Sequence, residues 1–93
     1  RAIIFGGSGQ GEAMMANRFA HVRATVYYGK DKTIPKLSRQ HNDSNIISIG
    51  ARFVPEDEAK EVVWEWLHTE ALTDDKYARR NNKIETIAQE FYG

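Results

Sequence analysis

The stretch AIIFGGSGQGE, residues 2–12, is the strongest structural signal in the chain. The strand predicted at 2–6 is apolar without polar alternation, which is typical of a β-strand covered on both faces. Glycines at alternate positions after it predict a tight turn, and a helix over 11–19 follows. A strand, a glycine loop and a helix start together direct backbone N–H groups at an anionic group. The sequence therefore predicts an α/β protein with an anion-binding loop at the end of its first strand.

The remaining sequence continues the alternation of strand and helix. Strands are predicted at 23–28 and 45–50, and helices at 35–39, 55–68 and 75–92. This order implies right-handed crossovers and a parallel sheet. We therefore expect a three-layer Rossmann-like α/β fold, in which helices flank a parallel sheet, within one domain over residues 1–93.

The predicted domain is short for the surface that it must cover. Three strands with two apolar faces need more cover than four short helices supply. The chain begins at Arg1, and strand residues follow at once. We expect a partial domain that lacks its N-terminal half, so that the sheet continues into a missing segment, a partner subunit or both.

The composition narrows the classes of function. The 93 residues carry a formal net charge of zero and include no cysteine. Because the net charge is zero, the chain as a whole has no electrostatic attraction to a nucleic acid or an anionic membrane. The uncharged runs are far shorter than the roughly 20 residues of a membrane-spanning helix. Disulfides, thiolate metal sites and a cysteine nucleophile are excluded, and no cluster has the spacing of metal ligands. We expect a cytoplasmic protein with no metal, no other cofactor, no nucleic-acid partner and no membrane partner.

The glycine loop permits two interpretations. Its pattern GxGxG differs from the dinucleotide fingerprint GxGxxG, and it lacks the Lys-Ser/Thr end of a P-loop. It is either a tight turn without a ligand or the cradle of an anion. Glu12 is either a first-turn glutamate that favours the helix dipole by about 0.3–1 kcal/mol, or a base that abstracts a proton beside backbone amides and the Ser8 hydroxyl.

A second polar segment, residues 38–45, precedes the third predicted strand. In it His41 is followed by Asn42 and Asp43, and neighbouring groups can fix the tautomer of the imidazole. We place His41 in a loop that enters the strand, either with a functional role or as an incidental histidine of an Asx-type turn.

Basic residues form a third group. Arg52 follows the third strand, and Lys76, Arg80 and Lys83 share one face of the last helix at i, i+4 and i+7 spacing. Such a run is either a solvated helix face or a phosphate site, because the arginine fork binds phosphate oxygens.

Five motifs occur in a specific order: GGSGQGE at 6–12, ANR at 16–18, VRA at 22–24, LSRQHNDSN at 37–45 and GAR at 50–52. In this combination the chain resembles the C-terminal two-thirds of the ribose-5-phosphate isomerase type B family, which also contains galactose-6-phosphate isomerase subunits. The resemblance implies an aldose–ketose isomerisation of a phosphosugar through a cis-enediolate, without a metal.

The resemblance also implies roles for single residues. Many family members have a cysteine base at the position of Gly6, whereas a subgroup has glycine there and a glutamate base that Glu12 matches. His41 matches the residue that opens the furanose ring, with Asn42 beside it, and Ser8 joins Glu12 and His41 as a catalytic group. The loop residues that would bind the enediolate are Gly7, Ser8, Gly9, Gln10 and Gly11. The residues that would bind the phosphate are Arg52, Lys76 and Arg80, of which Lys76 replaces an arginine and loses its fork.

The family resemblance bears on assembly as well. The family's active site lies between two subunits, with the glycine loop from one chain and the ring-opening histidine from the other. We therefore expect a homodimer or a tetramer. The family's N-terminal strand carries an Asp-His pair that these 93 residues do not supply.

The substrate is the part of the function that stays open. The first hypothesis is the conversion of ribose 5-phosphate to ribulose 5-phosphate. The alternatives are a six-carbon phosphosugar, such as galactose 6-phosphate or allose 6-phosphate, and a non-catalytic module that binds a phosphosugar. A small insertion around 29–33, relative to the family spacing, lies near the site and bears on sugar length.

Overall fold

The computed structural model describes residues 1–92 of the chain. Over these residues, three strands and four helices follow one another in the predicted order. The elements are β1 Ala2–Gly6, α1 Gln10–Ala16, β2 Ala24–Tyr27, α2 Thr33–Asn42, β3 Ile46–Gly50, α3 Glu56–Leu67 and α4 Asp75–Tyr92. The predicted three-layer Rossmann-like α/β fold is confirmed.

The sheet is parallel throughout, with the strand order β1-β3-β2. Gly6 at the end of β1 is in register with Gly50 at the end of β3, and Tyr27 at the end of β2 is in register with Ile49. The three strands therefore end together, at what we call the carboxyl edge of the sheet. Their starts form the amino edge.

The core lies between the sheet and α3. Its buried members are Tyr27, Ile47, Ile49, Val54, Ala59, Val62 and Trp66. The central strand β3 contributes two isoleucines, and the face of α3 predicted from its apolar spacing contributes Ala59, Val62 and Trp66. The indole N–H of Trp66 donates to the Ser44 hydroxyl over 2.8 Å, so the polar edge of this buried ring is satisfied.

Helix α1 is shorter than the predicted 11–19. It ends at Ala16, and Asn17 leaves the helix to bind the start of β2. The Asn17 side chain donates to the Ala24 carbonyl over 3.1 Å and accepts from the Ala24 N–H over 2.7 Å. This pair of bonds ends the helix because the asparagine satisfies the strand backbone instead of continuing the helical turn.

Helix α2 is longer than the predicted 35–39. Asp31 accepts the N–H of Thr33 over 2.9 Å, which starts the helix earlier than Pro35 alone suggests. At the other end Asp43 takes a left-handed conformation, with φ of 49°, and closes the helix. As a result His41 and Asn42 belong to the last turn of α2, and the prediction that His41 lies in a loop is wrong.

Several apolar side chains remain uncovered in the part of the chain that the structure describes. Met14 and Met15 on α1 are 66% and 62% exposed. Ile84 and Ile87 on α4 are also exposed, as is Phe5 on the edge strand β1. Large apolar side chains that are exposed in this way are typical of surfaces that contact another segment or subunit.

Candidate active site

The glycine loop packs directly on the carboxyl edge of the sheet. A Cβ atom placed on Gly50 would lie 2.5 Å from the Ser8 carbonyl oxygen, so the loop backbone touches the β3 backbone where only glycine fits. Gly9 has a left-handed φ of 80°, and its carbonyl accepts the buried Ser48 hydroxyl over 2.8 Å. These contacts fix the loop against β3 at Ser8 and at Gly9.

The direction in which the N–H groups of the loop point follows from its backbone hydrogen bonds. The Gly6 carbonyl accepts the Ala51 N–H over 2.8 Å, and the Gly7 carbonyl accepts the Arg52 N–H over 3.0 Å. In a trans peptide the N–H points opposite to the carbonyl. The N–H groups of Gly7 and Ser8 therefore point away from β3, which is the arrangement of an anion-binding loop.

The Ser8 hydroxyl stabilises the turn itself. It accepts the N–H of Gln10, the first residue of α1, over 3.2 Å. Its own proton is left to donate to a further acceptor at the loop. The predicted role of Ser8 therefore coexists with a local structural one.

Glu12 reaches back from α1 onto the end of β1. A Cβ atom placed on Gly6 would overlap its carboxylate, at 2.5 Å from Oε2. Real Cβ atoms do not approach oxygen this closely, so the Glu12 carboxylate occupies the volume that any larger residue at position 6 would fill. Glycine at 6 and glutamate at 12 are therefore structurally coupled.

Arg52 occupies the equivalent place over the next glycine. A Cβ atom placed on Gly7 would lie 3.3 Å from Cζ of its guanidinium. A carboxylate and a guanidinium thus lie over two successive glycines, Glu12 over Gly6 and Arg52 over Gly7. This places a proton acceptor and a cation next to the same row of amides.

An aromatic pair beside this cluster has no counterpart among the sequence predictions. Tyr28 follows β2 and Phe53 follows Arg52, and their rings meet edge to face with centroids 6.3 Å apart. Both rings are largely exposed. Their positions directly after a strand end and after the basic residue are the sequence signal that could have identified them.

The second group of predicted residues forms around the end of α2. The His41 ring stacks on Tyr77 of α4, with centroids 4.5 Å apart and planes 9° from parallel. The Asn81 amide donates to the His41 carbonyl over 3.1 Å and accepts from the Asn42 side chain over 3.2 Å. Sequence reasoning missed Tyr77 and Asn81, although their i, i+4 spacing puts them on one face of α4.

Two basic residues of α4 flank Tyr77 in the chain. Lys76 Nζ lies 5.0 Å from the centroid of the Tyr77 ring. Arg80 is one turn further along the helix, and both basic side chains are exposed. Lys76, one of the predicted phosphate residues, is therefore close to the ring that stacks on His41.

Other residues of the 37–45 motif have structural roles. The Arg39 side chain is buried, donates to the Thr69 carbonyl over 2.9 Å and pairs with Asp43 over 3.0 Å. The Ser38 and Ser44 hydroxyls are 2.8 Å apart. These bonds fix the end of α2 against the segment that follows α3, and they thereby restrict the position of His41.

The two groups lie at opposite edges of the sheet. The glycine loop, Glu12 and Arg52 follow strand ends, at the carboxyl edge. Helix α2 runs from the end of β2 back to the start of β3, so His41 in its last turn lies at the amino edge. One copy of the chain therefore does not bring Glu12 and His41 together.

The largest pKa shift among the described residues is that of Tyr27, a core residue that belongs to neither cluster. The Tyr27 hydroxyl donates to Glu58 over 2.6 Å. Burial, and then this bond to a carboxylate, raise the pKa of Tyr27 well above its usual range. This phenol is neutral at every physiological pH and joins β2 to α3.

Residues 1–92 include neither a metal-ligand cluster nor a membrane-spanning helix. No group of three or more His, Cys, Asp or Glu side chains is placed to hold a metal ion within this range. No helix among the same residues has the length and apolar character to cross a membrane.

The fold and the glycine-loop cluster define a class of protein. A parallel α/β sheet with an amide-rich loop, a carboxylate and an arginine at its carboxyl edge is typical of proteins that bind anionic small molecules. A sequence profile of the Ribose/Galactose Isomerase family matches residues 1–84. The chain belongs to that family.

Individual relatives agree with this assignment. Ribose-5-phosphate isomerase B of Escherichia coli K12 is 42% identical over 87 residues, which cover 94% of this chain and 56% of that protein. The D-erythrulose-4-phosphate isomerase of Pectobacterium atrosepticum is 31% identical over 70 residues, covering 75% of this chain and 45% of that protein. The chain spans about half the length of the curated relatives it matches.

Solved structures show the same fold. Clostridium thermocellum ribose-5-phosphate isomerase B superposes with a TM-score of 0.90 at 34% sequence identity, over 98% of this chain and 60% of that one. The resemblance drawn from the five sequence motifs is confirmed.

Proposed function

We propose that the protein interconverts aldose and ketose phosphosugars, with ribose 5-phosphate and ribulose 5-phosphate as the first substrate pair. The observation that carries the proposal is the Glu12 carboxylate held over Gly6, beside the loop amides. Family membership and the activity for which the Escherichia coli relative is named support the same conclusion.

Glu12 is the proposed base. In the open-chain aldose it removes the proton from C2, and the C–H electron pair forms the C1–C2 double bond while O1 becomes negatively charged. The N–H groups of Gly7 and Ser8 stabilise that oxygen. A proton passes from O2 to O1, Glu12 returns its proton to C1, and O2 becomes the ketose carbonyl. No redox cofactor enters this balance.

His41 is proposed to act from a second copy of the chain. The opposite positions of the two clusters support this, since one copy does not unite them. In this assembly His41 and Asn42 of the second copy open the furanose ring, and Lys76 and Arg80 bind the phosphate together with Arg52 of the first copy. The exposed apolar side chains of α1 and α4 supply surface for a homodimer or tetramer.

The proposal predicts that Glu12→Gln abolishes proton transfer and spares binding. The amide keeps the shape of the side chain but cannot accept a proton, and a general base contributes about 10²–10⁴-fold to rate. Deuterium incorporation at C2 of ribose 5-phosphate in D₂O, followed by proton NMR, measures the step directly. Binding is measured by titration with ribose 5-phosphate.

Glu56→Gln is the matched control, because Glu56 is also an exposed first-turn glutamate. It should leave the deuterium exchange unchanged. If Glu12→Gln keeps the wild-type exchange rate, the base is another group. If the wild-type protein binds the sugar phosphate without exchange, it is a binding module.

The substrate is resolved by a panel of sugar lengths. Relative kcat/KM values on ribose 5-phosphate, galactose 6-phosphate and allose 6-phosphate separate the five-carbon from the six-carbon hypothesis. A four-carbon sugar phosphate belongs in the panel as well, because the Pectobacterium atrosepticum relative is named for one. The highest value identifies the substrate class.

A further inference from the structure

Tyr77 is the only side chain with a ring stacked on His41 in the part of the chain that the structure describes. The two rings are 9° from parallel with centroids 4.5 Å apart, and both residues are half-buried. A stack of this geometry is favourable beyond the area that it buries. It restricts rotation of the imidazole about χ2, which a free histidine at a helix end retains.

Asn81 fixes the same last turn of α2 through two hydrogen bonds. Its amide group donates to the His41 carbonyl over 3.1 Å and accepts the Asn42 amide over 3.2 Å. The backbone of His41 is thereby fixed by one bond and its ring by the Tyr77 stack. Helix α4 therefore determines both the position and the orientation of the imidazole.

Tyr77 is also close to a basic residue of α4. Lys76 precedes it in the chain, with Nζ 5.0 Å from its ring centroid, and Arg80 follows within one turn. The Lys76 ammonium is therefore close to the ring that stacks on the imidazole. In a furanose 5-phosphate two carbons, C4 and C5, separate the ring oxygen from the phosphate ester oxygen, so the ring oxygen and the phosphate must meet their partners together.

We propose that Tyr77 is a positioning residue that orients His41 for opening of the sugar ring. The inference rests on the proposed function, which assigns ring opening to His41. Tyr77 touches the imidazole and not the reacting atoms. Misplacing a catalytic group by about 1 Å can cost 10²-fold in rate, so loss of the stack should slow ring opening strongly.

Ring opening can be measured apart from proton transfer. The probe is 2-deoxyribose 5-phosphate, which opens and recloses but lacks the C2 hydroxyl that becomes the ketose carbonyl. Magnetisation-transfer NMR gives the exchange rate between its two anomers, with the full chain as catalyst. His41→Ala should reduce this rate to the uncatalysed rate.

Tyr77→Leu removes the aromatic stack while keeping apolar bulk, and Tyr77→Phe keeps the stack without the hydroxyl. We expect Tyr77→Leu to lower the catalysed anomer exchange at least tenfold and Tyr77→Phe to stay within twofold of wild type. The His41 ring protons should move downfield in Tyr77→Leu alone, because the ring current of Tyr77 is lost. Thermal unfolding confirms that each variant is folded, and Tyr77→Met replaces Tyr77→Leu if the latter is not.

Trp64→Ala is the matched control. Trp64 is an exposed ring stacked on another histidine, His68, with centroids 4.1 Å apart. Its loss should leave anomer exchange unchanged. The inference is overturned if Tyr77→Leu exchanges anomers at the wild-type rate, or if the wild-type chain does not accelerate the exchange. Failure of the proposed function has a different signature, the absence of deuterium at C2 of ribose 5-phosphate.

Discussion

At the residue scale, the choice of glycine at position 6 depends on the glutamate at position 12. The sequence showed both residues and their spacing, and the family resemblance connected them to a base. The sequence could not show that a side chain at position 6 would occupy the volume of the Glu12 carboxylate, because this depends on how α1 leaves the loop. The overlap of a Cβ at Gly6 with the Glu12 carboxylate supplies the physical reason.

The coupling predicts the effect of Gly6→Ala. The new methyl group displaces the carboxylate, so kcat for ribose 5-phosphate isomerisation should fall by about 10–100-fold, with little change in Tm because the exposed Glu12 side chain can move away. In a Glu12→Ala background the same substitution should have no further effect on binding or Tm. Steady-state kinetics and thermal unfolding of the four proteins test this cycle, and equal kcat in wild type and Gly6→Ala would refute the overlap.

At the element scale, the strands and the order of elements could be predicted, whereas helix ends could not. Strand 2–6 matches β1 because an apolar run between turn residues has few alternatives. Helix α2 is predicted too short because Pro35 suggests its start and the polar segment 38–45 suggests a loop. The start at Thr33 and the closure at Asp43 depend on side-chain bonds and on a left-handed residue.

The candidate site shows the same limit. Glu12, Arg52 and His41 could be selected because their residue types and motifs are specific. Tyr77 and Asn81 could not, since a tyrosine and an asparagine on a polar helix are ordinary until α4 is seen against α2. The apolar spacing of a helix also does not say whether the surface that covers it lies within the chain, and Met14 and Met15 are exposed here.

The bond between β2 and α3 predicts a dependence of stability on pH. The pKa of Tyr27 is raised in the folded state, so the unfolded chain loses this proton first, near the usual value of about 10. The contribution of Tyr27 is therefore complete below about pH 10 and is lost as the pH rises further. Tyr27→Phe should be less stable at pH 7, by about 1 kcal/mol for the lost bond, and should lose less stability than wild type above pH 10. Urea unfolding at a series of pH values measures both; parallel alkaline profiles would contradict the assignment.

At the scale of the whole molecule, the two clusters at opposite edges predict that inactive variants rescue one another. In a mixed dimer of Glu12→Gln and His41→Ala chains, one site carries both lesions and the other carries none. Random mixing makes half of the dimers mixed, so about one quarter of wild-type activity should return. The measurement is isomerase activity after the two purified variants are unfolded together and refolded.

Mixing Glu12→Gln with Arg52→Ala is the control for this experiment. Both lesions lie in the glycine-loop cluster, so every site in the mixed dimer keeps one of them and activity should not return. Rescue in neither mixture would mean that each active site is built from one chain. Light scattering on the same samples shows whether a dimer or a tetramer has formed.

The crowding between positions 6 and 12 also constrains how such a protein can change during evolution. The resemblance places a cysteine base at position 6 in many relatives, and a chain that loses it before gaining the glutamate has no base at all. A glutamate gained first can point into solvent, since position 12 is exposed. Only the later loss of the side chain at position 6 lets the carboxylate swing onto the end of β1. If Glu12 is the base, as proposed, the two changes therefore occur in one order: the glutamate is gained first without a catalytic role, and it becomes the base when the cysteine is replaced by glycine.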